Sequence, residues 1–305
     1  MHHSQVQVGK VRLHLVEEGR GPSIVLLHGF PEFWYSWRQQ IPALAAAGFR
    51  VLAPDLRGYG ESDRPREVSA YAAQHLVADI AGLIDRHAGG RAHVVGHDWG
   101  GVLAWRLAML RPDLVNRLVV LNAPHPAAFG RVLRRSPRQW WRSLYMLWFQ
   151  LPWLAEWSIQ AGDFWLLRRA FQTQPYNSQA FTPDDIRRYT EALRRPGALT
   201  AALNYYLAAL RYPADLNVPP QHISAPTLLL WGERDPYLGA ELTEGLSEWV
   251  PNLRVERIPQ ASHWLQNDAP EIVNRCLLEF LAPQESPSAT LQTQTKSTTR
   301  PDSPV

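Results

Sequence analysis

Apolar and polar positions change their spacing several times along this chain of 305 residues. Val6, Val8, Val11, Leu13 and Leu15 alternate with polar neighbours, which predicts an opening antiparallel pair turning at Gly9-Lys10. Ser23-Ile24-Val25-Leu26-Leu27 is then almost continuously apolar, as a strand buried on both faces must be. Residues 37–47 carry helical spacing closed by Gly48, and 49–53 read as the next strand. Helix at 71–87, strand at 91–95, helix at 102–110 and strand at 115–121 follow. Strand and helix alternate throughout, so the pattern predicts a mainly parallel, doubly wound α/β sheet. Ligand sites in such sheets lie beyond the carboxyl ends of the strands.

The alternation stops near Pro124-His125-Pro126. From there to about 220 the spacing is helical and rich in tryptophan: Trp140, Trp141, Trp148, Trp153, Trp157 and Trp165. Strand spacing resumes at 226–231 and 253–258, and a last helix is predicted at 270–281. The expected organisation is a core of residues 1–124 and 221–282, with a helical cap of 125–220 inserted over the sheet. The tail, 283–305, is Ser/Thr/Gln/Pro-rich without periodicity and is expected to be disordered.

Gly96-His97-Asp98-Trp99-Gly100 sits where a strand gives way to a helix through a glycine-bracketed turn. That is the context of a nucleophile elbow, with Asp98 where a serine would stand. No Gly-x-Ser-x-Gly occurs in the chain. A helix N-cap is the bland role for such an aspartate. The glycine-bracketed turn after a buried strand favours the nucleophile. A carboxylate with an ordinary pKa near ~3.9 is already ionised and can attack a saturated carbon without a base. His263, in Gln260-Ala261-Ser262-His263-Trp264, takes the late position expected of the histidine in the order nucleophile, acid, histidine. It would deprotonate water, which asks for a neutral imidazole near pH 7.

Asp235, past a strand end in Gly232-Glu233-Arg234-Asp235-Pro236, would orient that imidazole. Glu233 is its local rival, and capping a helix that starts near Pro236 is its bland role. Asn122, after the preceding strand, cannot replace the acid's charge. Backbone N–H groups of Phe30 and Trp99 are the expected oxyanion hole, acting on the carbonyl of Asp98 itself. His28 is expected to be structural, and Phe30-Pro31 to be a cis bond. Tyr145, with Trp141 and Trp148 at spacings that share one helical face, and Tyr206 are core aromatics on the bland reading. Over a carboxylate they become proton donors to a leaving oxygen. His93 and His97 lie across a strand and a turn, not on one helical face, and no metal or cofactor is expected.

The formal charge of +3 is spread over the chain, with a local cluster from Arg131 to Arg135 read as a solvated face. Nucleic-acid binding would need a continuous basic stripe and is not expected. Cys276 is the only cysteine, so no intramolecular disulfide forms. Residues 1–9 hold no apolar signal region, and no stretch is long enough to span a bilayer. A cytoplasmic protein is expected. His2 and His3 read as a frayed terminus.

Residues 28–37 read HGFPEFWYSW, and Asp55-Leu56-Arg57-Gly58-Tyr59-Gly60-Glu61-Ser62 follows. With the turn at 96–101, these segments resemble the soluble epoxide hydrolases of the α/β-hydrolase superfamily over roughly residues 5–282. The likeness is to the hydrolase domain of the two-domain mammalian enzyme, whose phosphatase domain has no counterpart here. The resemblance implies the α/β-hydrolase fold, with Asp98 as nucleophile, Asp235 as acid and His263 as histidine. It implies that Tyr145 and Tyr206 hold the epoxide oxygen, and that the partners are a small-molecule epoxide and water. The product is then a vicinal diol.

Haloalkane dehalogenases share the aspartate–tryptophan elbow, but there an asparagine would follow His-Gly where this chain has Phe30. Fluoroacetate dehalogenases would show an arginine pair where Trp99-Gly100-Gly101 stands. A non-catalytic binding protein of the same fold would have no need of Asp98, Asp235 and His263 together.

Overall fold

The computed structural model describes residues 1–213 and 221–282. Strands β1 (His2–Val8) and β2 (Val11–Gly19) form the opening hairpin, followed by β3 (Ser23–Leu27), α1 (Gln40–Ala46), β4 (Arg50–Pro54) and α2 (Ala73–His87). Then come β5 (Ala92–His97), α3 (Trp99–Leu110) and β6 (Val115–Leu121). Among the described residues, six helices stand before the next strand: α4 (Pro126–Arg135), α5 (Pro137–Arg142), α6 (Tyr145–Trp148), α7 (Pro152–Thr173), α8 (Pro183–Arg194) and α9 (Ala198–Arg211). The chain closes with β7 (Thr227–Gly232), β8 (Leu253–Ile258), α10 (Leu265–Asp268) and α11 (Pro270–Leu281).

The eight strands form one sheet in the order β1-β2-β4-β3-β5-β6-β7-β8. Only the pairings of β2 are antiparallel. Strand side chains alternate between two apolar layers. Val25, Leu27, Val94 and Val120 pack toward α2 and α3, while Ile24, Leu26, Val95 and Val119 pack toward α1 and α11. Both faces are covered, which is why the central strands read as unbroken apolar runs.

Three local expectations are corrected. The helix expected at 37–47 is a 3₁₀ turn at Trp34–Trp37 and then α1 from Gln40. A helix begun at 37 would put Pro42 in its interior, where the ring clashes with a preceding carbonyl; begun at 40, it keeps Pro42 in the first turn. His2 and His3 are not frayed, because both pair with β2 through the backbone, and His3 Nδ1 lies 3.0 Å from His14 Nε2. No helix starts at Pro236. The 226–231 and 253–258 expectations became β7 and β8, and 270–281 is α11. The expectation for the tail, 283–305, lies outside the described residues. Among the described residues no helix is long and apolar enough to cross a membrane.

Candidate active site

The turn between β5 and α3 forces Asp98 to φ 49° and ψ −121°. The glycines packed around it, one in the turn and one after β3, have a steric cause. A Cβ on Gly100 would sit 2.2 Å from the Leu27 carbonyl oxygen, and one on Gly29 would sit 2.3 Å from Asp98 Cβ. Backbone and nucleophile candidate therefore approach only where side chains are missing. Asp98 caps nothing with its side chain. Its Oδ1 accepts the Phe30 N–H at 2.7 Å, and its Oδ2 lies 3.5 Å from His263 Nε2, at the outer edge of hydrogen bonding. Phe30 precedes Pro31 through a cis bond.

His263 is held from its other side: its Nδ1 donates to Asp235 Oδ2 at 2.7 Å. Asp235 Oδ2 also accepts the Asn122 side-chain amide at 2.6 Å. Its Oδ1 accepts the Tyr237 and Leu238 N–H groups at 2.7 and 3.0 Å. That turn geometry is what the capping role would have used, made here without a helix. Glu233, the rival acid, is exposed. Asn122 carries no charge, yet it fixes the acid: it sits at φ 38° and its Oδ1 accepts the Gly232 N–H at 2.7 Å.

Burial works against an imidazolium at His263, but Asp235 and Asp98 outweigh it and raise its pKa to about 10. Burial also works against the Asp98 carboxylate. The facing His263, with His97 and the Phe30 amide, prevails and lowers its pKa. The resting pair is thus carboxylate and imidazolium, whereas the sequence asks for a neutral ring near pH 7.

Tyr145 and Tyr206 line the same cavity as Asp98 and His263, a space of about 220 Å³. The two rings pack edge-on with centroids 6.1 Å apart, and Tyr206 meets Trp99 edge-on at 5.1 Å. Burial first, and then neighbours including the Asp98 charge, push both pKa values well above the ordinary phenol range, so both remain donors. The adjacent Tyr205 points elsewhere, its hydroxyl donating to the Arg57 carbonyl at 2.8 Å. The shared face expected for Trp141, Tyr145 and Trp148 holds only in part. Trp148 lines the cavity, but Trp141 faces solvent; α5 ends at Arg142 and α6 starts at Tyr145, so the three residues do not share one continuous helix. His28 is structural as expected: its Nε2 accepts the Leu56 N–H at 3.0 Å and its Nδ1 meets the Gly29 carbonyl.

Sequence reasoning missed the support beneath the histidine. His97 Nδ1 lies 2.9 Å from Glu32 Oε2, and its Nε2 donates to the His263 carbonyl at 2.9 Å. Ser36 donates to Glu32 at 2.8 Å. All of these side chains are buried. Glu32 in an otherwise apolar, aromatic run after a strand was the available signal, since a carboxylate is rarely buried unless paired.

A parallel sheet, a strained acidic turn at a strand end and a carboxylate–imidazole–carboxylate row together define an enzyme of the hydrolase class. A family model of the alpha/beta hydrolase fold matches residues 22–270. The chain is 41% identical over 281 residues to the AB hydrolase superfamily protein YfhM of Bacillus subtilis, covering 92% of this chain and 97% of that one. It is 39% identical over 280 residues to epoxide hydrolase 4 of Mus musculus, covering 89% and 76% respectively. A variant epoxide hydrolase from Bacillus megaterium, solved with its naphthyloxy-propanediol product, superposes with a TM-score of 0.82 at 32% identity, covering 91% of this chain and 99% of that one. The chain belongs to the α/β-hydrolase fold family, among the epoxide hydrolases.

Proposed function

We propose that the enzyme hydrolyses epoxides to vicinal diols through an ester on Asp98. The observation that carries this reading is a pair of protonated phenols, Tyr145 and Tyr206, lining one cavity with an ionised carboxylate. Halide leaving groups need no proton, whereas an opening epoxide needs one at its oxygen. The names and bound product of the similar proteins support the same substrate class.

The two oxygens of Asp98 take different parts. Oδ2 is only loosely engaged and attacks the ring carbon, forming a C–O bond as the ring C–O bond breaks. Oδ1 already accepts the Phe30 N–H and becomes the ester carbonyl. The Trp99 N–H is the second donor we assign to the oxyanion. Ring opening places negative charge on the former epoxide oxygen, and the phenols pass it a proton. Esterification also removes one of the two carboxylates that raise the His263 pKa. The imidazolium therefore gives up its proton, which restores the phenol. Neutral His263, oriented by Asp235, then takes a proton from water as hydroxide adds to the ester carbonyl. Collapse expels the diol oxygen, which takes the remaining proton, and leaves the carboxylate facing an imidazolium.

Incubation with styrene oxide beside a haloalkane tests the reading. Diol without halide release is expected. Halide release without diol assigns the dehalogenase reaction instead, and binding without turnover of either assigns a binding protein.

A further inference from the structure

The helices between β6 and β7 carry a surface that the proposed reaction does not use. Trp141, Trp153 and Trp157 are 68%, 73% and 69% exposed, although tryptophan is highly buried on average. Trp153 and Trp157 stand four apart on α7 and share one face. Trp140 is exposed beside Trp141, its ring packed edge-on against it at 5.7 Å, and Leu147 and Leu151 are exposed in the connection to α7. This much apolar surface clustered in one segment marks an interaction site.

Charge is as unevenly placed. Residues 126–173 hold seven arginines and only two acids, Glu156 and Asp163, in a chain of formal charge +3. Asp163 is already engaged by Arg168 and Arg194. Arg134, Arg135 and Arg138 are exposed, and no carboxylate is within ion-pair distance of them among the described residues. Indole rings settle at the headgroup level of a bilayer, and guanidinium groups pair with phosphate. A second copy of this chain fits less well, because pairing the face with itself would bring Arg134, Arg135 and Arg138 of the two copies together, and Glu241, 3.4 Å from Ser136, is within ion-pair distance of none of them. Leu166, 41% exposed, lies on α7 beyond the break at residues 161–164 and lines the cavity.

We propose that the face built by α4, α5 and the first half of α7 docks the enzyme on an anionic phospholipid surface. Trp141, Trp153 and Trp157 enter the headgroup layer, while Arg134, Arg135 and Arg138 meet lipid phosphates. The docking requires nothing of the chemistry assigned to Asp98.

Cosedimentation of the full chain with phosphatidylcholine vesicles, with and without phosphatidylglycerol, tests it. Binding is expected only where phosphatidylglycerol is present, with release at high salt. Combining Trp141→Ser, Trp153→Ser and Trp157→Ser should weaken binding by about tenfold or more, as should Arg135→Glu with Arg138→Glu. Both variants should melt like the parent and keep its rate on a water-soluble epoxide. No binding to the anionic vesicles overturns the proposal, and so does binding that the tryptophan changes leave intact. A dimer in solution that the same changes convert to monomer, without vesicle binding, gives the face to a second copy and overturns it too.

Discussion

The sheet half and the helical half of the site hold their polar groups by different means. Asp235 at the end of β7 accepts from two backbone amides, an asparagine and the imidazole, and His263 is braced from below by His97 and Glu32. Tyr145 and Tyr206 are instead held by ring packing against each other, Phe149 and Trp99, and Tyr145 belongs to a helix of a single turn. The sheet half is braced against movement while its charges change. The helical half holds its phenols by ring packing, which leaves their hydroxyls able to turn to a guest oxygen.

The largest expected effect removes the sheet half's charge. Asp98→Ala should lower epoxide turnover by about 10⁴-fold or more while the protein still folds, as diol formation and a thermal melt would report. His263→Gln should separate the steps. Ring opening should persist while ester hydrolysis falls by about 10³-fold, so the Asp98 peptide should gain the mass of the substrate. A variant that accumulates no adduct while turnover is lost would show that His263 acts before the ester forms.

Changes in the helical half should be milder. Tyr206→Phe should slow ring opening by about 10- to 100-fold and ester hydrolysis much less, read by pre-steady-state quench. Equal slowing of both steps would remove Tyr206 from the role assigned to it. Its neighbour sharpens the contrast: Tyr205→Phe should leave ring opening nearly unchanged and cost about 1 kcal/mol of stability through the bond lost to Arg57.

The last contrast is in stability against pH. His263 has a folded pKa raised to about 10 from an ordinary value of 6.5. Its contribution is therefore fully present below about 6.5, erodes as pH rises and is gone above about 10. Asp235→Asn should flatten denaturant-melt midpoints across that window.

The same contrast separates what could be read in the chain from what could not. The mainly parallel sheet and the elbow were legible because buried strands and glycine-bracketed turns obey local rules, as Val94, Val95 and Gly100 show. Asp98, Asp235 and His263 follow from strand ends. Tyr206 was separable from Tyr205 only through the family resemblance, since adjacent helical positions differ by about 100° of rotation and sequence does not say which faces the cavity. Glu32 and Asn122 were hidden because their partners, His97 and Asp235, come from distant segments. The break between Trp141 and Tyr145 lies where α5 stops, which helical periodicity does not reveal.

A single turnover in water labelled with heavy oxygen, with enzyme in excess over epoxide, tests the central claim most directly. The diol released should carry no label, because its new oxygen comes from Asp98, and the label should appear in the Asp98 carboxylate. Label in the first diol, with none in Asp98, would mean that water attacks the epoxide without an ester and would contradict the account.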